Sequence, residues 1–150
     1  MNPIDFISVS TKVMKVYETF CLPLCKKFQM TQTSFDILMF LTNNPSYNTA
    51  RDICEIRGIR SGMASVAIDF LVKNGYLDRQ PDASDRRIWR LAPTEKSIPV
   101  TEAGKQVQQT FGQQLVAGIS EEELAAYMEI AGKFRKNILK ISQNKGDTTL

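Results

Sequence analysis

Residues 82–91 read Asp-Ala-Ser-Asp-Arg-Arg-Ile-Trp-Arg-Leu (DASDRRIWRL) and contain two aspartates, three arginines and the only tryptophan of the chain. The polar residues 80–85, which include a proline, separate two short segments with period-two alternation, residues 76–79 and 87–91. Such alternation is typical of strands, and clustered Pro, Asp and Ser residues are typical of turns. The sequence therefore predicts a β-hairpin with arginines near its tip.

Two helices joined by a tight turn are predicted directly before this hairpin. Thr49 is a candidate N-cap for a short helix over Ala50–Arg57, and Gly58 provides the turn. A second helix is predicted from about residue 61 to residue 74, where the Asn-Gly pair can end it with a left-handed cap. Helix, short turn, helix and hairpin in this order form a winged helix-turn-helix. In that fold the second helix enters the major groove of DNA, and the hairpin, or wing, reaches the flanking backbone or minor groove.

The N-terminal part is predicted to form two further helices. Residues 4–29 have apolar side chains at helical spacing, and Pro23 is expected to bend this helix or end its first part. Thr31 is a candidate N-cap for a strongly apolar helix that ends near Asn44. Asn48, like Thr49, is expected to act as a helix cap.

Two long helices are predicted after the hairpin. The first begins at Thr94, although Thr101 is a second candidate for its start. Ser120 and Glu123 have the spacing of a capping box, and the helix that they open continues through Ile141. The helices on either side of the winged helix-turn-helix carry large apolar residues. These residues must pack on each other or on a second subunit.

The predicted fold class is therefore mainly α with a small β-hairpin wing, a winged helix-turn-helix with N- and C-terminal dimerisation helices. We assign residues 31–93 to the DNA-binding lobe, and residues 1–30 and 94–150 to dimerisation. A two-fold dimer would place two recognition helices about 34–36 Å apart, one helical turn of DNA.

Composition excludes several classes of function. The chain has no histidine, which removes the commonest general base and the commonest metal ligand. It also lacks a glycine-rich phosphate loop and a nucleophile-base set, so we expect neither catalysis, a metal site nor a cofactor. No apolar run is long enough to span a bilayer, the first residues lack the pattern of a signal peptide, and the three cysteines have no disulfide-framework spacing. We therefore expect a cytoplasmic protein without a membrane partner.

Charge distribution favours a nucleic-acid partner more than the net charge of +3 does. Residues 49–91 contain eight Lys or Arg against six Asp or Glu, and Lys73 is the only lysine among the eight. Arginine forms paired hydrogen bonds with phosphates and guanine edges. With the helix-turn-helix upstream, we predict that Arg86 and Arg87 contact DNA rather than serve only as a solvated hairpin edge. Arg90 is interpreted as a surface residue, and Trp89 is expected to pack against the recognition helix.

The segments G-I-R-S-G-M (58–63), D-F-L-V-K-N-G-Y-L (69–77) and P-D-A-S-D-R-R (81–87) resemble the MarR family of bacterial transcription regulators. The hairpin matches the family's D-x-x-D-x-R wing, and the resemblance covers almost the whole chain. It implies a homodimer that binds a pseudo-palindromic promoter site on double-stranded DNA, usually as a repressor. The family also places a small-molecule effector pocket between the dimer helices and the DNA-binding lobe.

The resemblance also assigns site residues. Arg87 matches the wing arginine that enters the minor groove, and Asp85 matches the aspartate that orients it. Arg60 and Val66 depart from the family pattern, in which serine and arginine are usual at these two positions. The DNA-facing residues of the matching recognition helix are Ser61, Gly62, Met63, Ser65, Val66 and Asp69.

Three further hypotheses concern other positions. Thr49 is a candidate for phosphate contact as well as a cap. Tyr17, Phe20 and Met39 are candidates for the lining of the effector pocket. Cys21 and Cys25 lie four residues apart on one helix face, so an alternative function is cysteine-based redox sensing in the same fold. A winged-helix module that binds another protein is the remaining alternative.

Overall fold

The structure is a computed structural model that describes the backbone of residues 3–144 and the side chains of residues 7–143. The outermost residues of the two predicted dimerisation ranges lie outside this part. The described elements are, in chain order, α1 (Pro3–Lys27), α2 (Gln32–Asn43), α3 (Ala50–Arg57), α4 (Ser61–Lys73), β1 (Leu77–Pro81), β2 (Trp89–Pro93), a 3₁₀ turn (Glu95–Ser97), α5 (Ile98–Leu115) and α6 (Glu121–Asn144). This order confirms the predicted fold class of a mainly helical protein with one β-hairpin.

Helix α1 is continuous and does not end at Pro23, contrary to one of the two outcomes expected there. An interior proline costs a helix about 3 kcal/mol because it removes one backbone hydrogen bond. The neighbouring Cys21, Leu24 and Cys25 are all buried in the core. Burial of these side chains offsets that cost, at about 25 cal/mol per Å² of apolar surface.

Helix α2 lies at the centre of the core. Thr31 caps it as predicted, and its side chain accepts a hydrogen bond from the backbone N–H of Ser34 at 3.1 Å. Seven residues of α2 are buried, so it is apolar on almost all sides and must be surrounded. The largest fully buried side chains of the core are Phe35, Ile37, Leu38, Met39, Leu41, Ile53, Leu71, Leu77 and Val100.

The caps of α3 and α4 confirm the predicted helix-turn-helix. Thr49 and Asp52 form a reciprocal capping box at the start of α3, and Gly58 ends the helix with a φ of 66°. Gly75 has a φ of 76° and follows the end of α4. A left-handed backbone at these positions is accessible to glycine without steric cost. The buried face of α4 is the predicted one, consisting of Ala64, Ala67, Ile68 and Leu71.

The hairpin strands are displaced toward the C-terminus relative to the prediction. β1 extends to Pro81, which pairs with Trp89, so β2 begins at Trp89 and not at residue 87. Proline is tolerated here because the sheet has two strands, each of them an edge. The strand start is delayed because hydrogen bonds close the turn, with Asp82 N–H donating to Ile88 O and Ile88 N–H to Asp85 O, at 2.9 and 3.0 Å.

Thr94 begins the next helical segment, as expected, through the 3₁₀ turn that leads into α5. Pro99 lies in the first turn of α5, where a missing N–H costs little. Gly104 is buried against α2. A methyl group at this position would meet the Sδ atom of Met39 and the ring of Phe35. A close approach of α5 to the core thus requires glycine here.

The chain divides into two compact units, Met1–Phe111 and Gly112–Leu150, and α5 runs from one into the other. The first unit contains the core and the hairpin. The second unit is dominated by α6, which opens with the predicted capping box. Ser120 N–H donates to Glu123 Oε2 at 2.8 Å, and Glu123 N–H donates to Ser120 Oγ at 3.2 Å.

Candidate nucleic-acid interface

Helix α4 presents a continuous outward face opposite its buried face. The predicted contact residues Ser61, Gly62, Met63, Ser65, Val66 and Asp69 are all exposed. Positions three and four apart share one side of a helix, so Gly62, Val66 and Asp69 form the outermost stripe. The structure thus brings the predicted recognition-helix residues together on one surface.

The carboxylate of Asp82 organises the tip of the hairpin. Its Oδ2 accepts hydrogen bonds from Ser84 Oγ at 2.6 Å, Ser84 N–H at 3.0 Å and Asp85 N–H at 3.1 Å. These bonds from Ser84, followed by the one from Arg90, hold the pKa of Asp82 well below its ordinary value. The turn is therefore organised around an ionised aspartate.

Arg90 joins this turn to the helix-turn-helix. Its Nε donates to Asp82 Oδ1 at 2.7 Å, and its Nη1 donates to Asn48 Oδ1 at 2.9 Å. Leu91 N–H also donates to the carbonyl oxygen of Asn48, at 2.8 Å. The expectation that Asn48 caps α3 is therefore wrong. Thr49 occupies the cap position, and Asn48 lies against β2. Arg90 therefore has a structural role, because it links the wing to the residue before the helix-turn-helix.

The sequence did not indicate that Arg90 donates hydrogen bonds to both Asp82 and Asn48. The D-x-S pattern of residues 82–84 is a local signal for the aspartate turn. Arg90 and Asn48 are 42 residues apart, and no local pattern connects them.

Arg87 lies at the hairpin tip with its side chain 94% exposed. Asp85 Oδ1 accepts a hydrogen bond from Arg87 N–H at 3.0 Å and lies 3.6 Å from Arg87 Nε. The predicted contact between Asp85 and the wing arginine is thus present. Arg86 is exposed beside it. The tip therefore carries two solvated guanidinium groups on an organised turn.

Thr49 and Arg60 lie at the N-termini of the two helices of the motif. Thr49 already uses its polar groups, since its N–H and its hydroxyl both donate to Asp52 Oδ2, at 2.9 and 2.7 Å. A phosphate contact by Thr49 would have to replace one of these bonds. Arg60 occupies the N-cap position of α4 without a side-chain cap bond and is exposed, so its charge is available.

A cavity of about 370 Å³ lies between α1, α2, α3 and α5. Of the three residues expected to line an effector pocket, Tyr17 and Met39 line this cavity. Phe20 does not, and its ring packs edge-on against Phe111 at 5.4 Å. The other lining residues are Met14, Asp36, Phe40, Asn43, Asn44, Ile56, Arg57 and Gln108.

The polar wall of this cavity connects several helices. Gln108 Nε2 donates to the Tyr17 hydroxyl at 3.1 Å, and Asn43 Nδ2 donates to Gln108 Oε1 at 3.0 Å. Arg57 Nη2 on α3 lies 3.7 Å from Asp36 Oδ2 on α2. Burial is the main cause that raises the pKa of the Tyr17 phenol, and it raises the pKa of Asp36 as well. The cavity therefore has a mixed polar and apolar lining that includes a partly desolvated ion pair.

The three cysteines are free thiols. Cys21 and Cys25 are buried, and burial raises the pKa of Cys25 to about 11 and that of Cys21 in the same direction. Among the residues that the structure describes, no group of acidic, histidine or cysteine side chains could hold a metal ion, and no helix is both long and apolar enough to cross a membrane.

The fold and the exposed arginine wing define the class of a winged helix-turn-helix protein. Residues 28–88 match the model described as the MarR family. This part of the chain, which contains α2, α3, α4 and most of the hairpin, is therefore similar to the MarR family.

Solved structures of the same fold cover almost the whole chain. The transcriptional regulator SlyA has a TM-score of 0.76 and 24% identity over 89% of this chain and 94% of its own. A MarR transcriptional regulator from Methanosarcina mazei Go1 has a TM-score of 0.73 and 22% identity over 91% and 99% of the two chains. A putative MarR family regulator from Listeria monocytogenes, complexed with 26mer DNA, has a TM-score of 0.80 and 18% identity over 100% and 98%. These similarities extend the MarR fold beyond the matched lobe, to the helices on either side.

Proposed function

We propose that this protein is a homodimeric transcription regulator of the cytoplasm that binds a pseudo-palindromic promoter site and represses until a small molecule releases it. One observation carries this proposal. The wing arginine Arg87 is fully solvated and contacts Asp85, in the same lobe as the exposed outward face of α4. A helix for the major groove and a cation for the flanking minor groove are the two elements with which winged helices bind DNA.

The charges of the lobe support DNA as the partner. Two of its acidic groups are paired with arginines, Asp69 with Arg79 and Asp82 with Arg90. Within the described residues, Arg60 and Arg86 have no acidic partner and remain available for phosphates. Phosphate contacts of this kind make binding strongly dependent on salt. The Listeria structure, which holds a 26mer DNA, gives further support.

Exposed apolar side chains on the end helices support dimerisation. On α6 these are Leu124, Tyr127, Met128, Ile130, Ile138, Leu139 and Ile141, and on α1 they include Ile7, Val9, Met14 and Val16. Faces of this size rarely stay in water in a stable protein. A second copy of the chain would cover them and would pair two recognition helices about 34–36 Å apart.

The cavity beside α3 supports release by an effector. Its ion pair connects Asp36 of α2 to Arg57 of α3, the helix that precedes the recognition helix. A small molecule bound in the cavity would compete for these groups and bind one arrangement of the two helices better than another. Such differential affinity is what shifts a conformational equilibrium away from the DNA-binding state.

Redox sensing through Cys21 and Cys25 has less support. A reactive cysteine needs an accessible thiolate, and both thiols are buried with raised pKa values. A module that binds protein instead of DNA would tolerate neutral side chains at Arg86 and Arg87. The experiment below separates it from a DNA-binding regulator.

Selection of bound duplexes from a random pool tests the proposed function directly. We expect an enriched pseudo-palindrome with half-sites about 10 base pairs apart. On the selected site, Arg87→Ala should weaken binding about tenfold or more, because a minor-groove contact is lost. Lys105→Ala removes one charge from an exposed position of α5 and serves as the control. Failure to enrich any duplex, or equal affinity of Arg87→Ala and wild type, would contradict the proposal.

A further inference from the structure

Over residues 61–70, the outward face of α4 lacks the side chains that read bases through paired hydrogen bonds, and its one lysine is Lys73 in the last turn. From residue 61 to residue 70 it contains no Arg, Lys, Asn or Gln, the residue types that bond in a bidentate manner to guanine or adenine. Its one carboxylate, Asp69, is paired with Arg79. Ser61 and Ser65 can donate or accept single hydrogen bonds, but a hydroxyl distinguishes bases poorly. Discrimination on this face must therefore come mainly from apolar contacts.

The apolar groups of this face are large and unusually exposed. Val66, on the outermost stripe, is 72% exposed, and Met63 beside it is 54% exposed. They form one wall of an open groove of about 530 Å³ between α4 and the start of α2. Phe70 and Ala67 continue the apolar wall, and Thr31 and Thr33 line the α2 side.

We propose that this face selects its site by contact of Val66 and Met63 with the C5-methyl groups of thymine. This inference rests on the proposed function. Thymine is the only base that displays a methyl group in the major groove, so an apolar side chain there favours T over C at a contacted position. The selected half-sites should accordingly contain thymines whose methyl groups, and not only their hydrogen-bonding edges, are required.

Gly62 supports a close approach of DNA to this helix. Glycine in a helix is less stable than alanine, and a methyl group added at Gly62 would meet no atom within 4 Å in the described protein. The fold therefore does not require glycine here. Gly62 lies on the same outermost stripe of α4 as Val66. Because it has no side chain, a base pair can come close to the helix backbone at this position.

Charge favours DNA over a protein as the occupant of this surface. Arg60 lies exposed at the same end of α4, two residues before Gly62. The arginines of the wing belong to the same lobe, and the nearest carboxylate on α4 is neutralised by Arg79. A surface with an apolar centre and an unpaired arginine at one end suits the major groove, where methyl groups lie between two rows of phosphates.

Replacement of single thymines by deoxyuridine tests the inference, because it removes the methyl group and leaves the base pairing unchanged. On the site selected from a random pool, we expect about a fourfold loss of affinity at each contacted thymine, the effect of one buried methyl group. In Val66→Ala, deoxyuridine at the position that Val66 contacts should have little further effect. Lys105→Ala, an exposed change on α5 outside the recognition helix, should keep the full sensitivity to deoxyuridine.

The outcomes separate the two proposals. If a site is enriched but every deoxyuridine duplex binds as tightly as its thymine counterpart, methyl recognition is wrong and DNA binding stands. If Val66→Ala and Lys105→Ala respond equally to deoxyuridine, Val66 does not contact the thymine methyl group. If no duplex is enriched, the proposed function fails and methyl recognition fails with it. Helical content of both variants, measured by circular dichroism, should equal that of wild type because both side chains are exposed.

Discussion

At the scale of single residues, burial and ion pairing have opposite effects on the pKa of Asp36. Its carboxylate is partly buried in the wall of the cavity, which raises its pKa, while a hydrogen bond from Gln32 at 2.9 Å and the guanidinium of Arg57 at 3.7 Å act in the other direction. Burial is the larger effect, so the charged form is less stable in the folded protein than in the unfolded chain. The cavity thus contains a carboxylate whose ionisation costs stability.

This balance predicts a pH dependence. A carboxyl group with a raised pKa in the fold ionises first in the unfolded chain, so stability falls as pH rises from about 4 toward the folded pKa. Asp36→Asn cannot ionise and can still accept the hydrogen bond of Gln32. We therefore expect wild type to lose free energy of unfolding relative to Asp36→Asn between about pH 4 and neutral pH, measured by urea titration. A difference that stays constant across this range would show that burial is cancelled by the contacts of Gln32 and Arg57, and one that grows in favour of wild type would show that these contacts outweigh burial.

At the scale of elements, α5 packs closely against the core at Gly104, where the absence of a side chain leaves room for α2. A methyl group at Gly104 would collide with the end of Met39 and the ring of Phe35, both of them buried. Because Met39 also lines the cavity, its end has space to move into when it is displaced. The packing of α5 and the volume of the cavity are therefore connected through this methionine.

Gly104→Ala should destabilise the protein by about 1–3 kcal/mol, the usual cost of overpacking, with a value near the lower end if Met39 moves. Gly112→Ala on the same helix is the matched control, since its methyl group would meet no described atom within 4 Å. It should leave stability unchanged or raise it by up to about 1 kcal/mol, because alanine is the better helix former. Thermal or chemical unfolding measures both. Equal effects of the two substitutions would mean that α5 does not pack on α2 in this way.

At the scale of the whole molecule, the apolar face of α6 predicts the oligomeric state. Ile138 is 62% exposed on this face, on the same side of the helix as Tyr127. We expect a dimer in sedimentation at micromolar concentration. Ile138→Glu should shift the mass toward the monomer, because a carboxylate would be buried without a partner at the interface.

Ala126→Glu is the control for this experiment, because it adds the same charge to an exposed position on the side of α6 that carries Glu129 and Lys133. It should remain dimeric and bind the selected DNA as wild type does. A monomeric wild type would refute the proposed dimer, and a dimeric Ile138→Glu would place the interface elsewhere.

Helix ends and periodicities could be predicted from the sequence because they depend on near neighbours. Thr31, the Thr49–Asp52 pair and the Ser120–Glu123 pair all act over three residues, so their cap bonds are visible as short patterns. The buried face of α4 follows from its repeat in the same way. The sequence by itself therefore determined the order of the elements, the winged helix-turn-helix and the exposed arginine wing.

Only the tertiary structure decided which distant side chains meet. Arg90 reaches Asn48 across 42 residues, and Gln108 reaches Tyr17 across 91 residues. Such pairs leave no periodic signal, because the fold brings together residues that are unrelated along the chain. For the same reason the structure, and not the pattern, placed Phe20 outside the cavity and Val66 at the centre of a free apolar surface: exposure depends on what the rest of the chain covers.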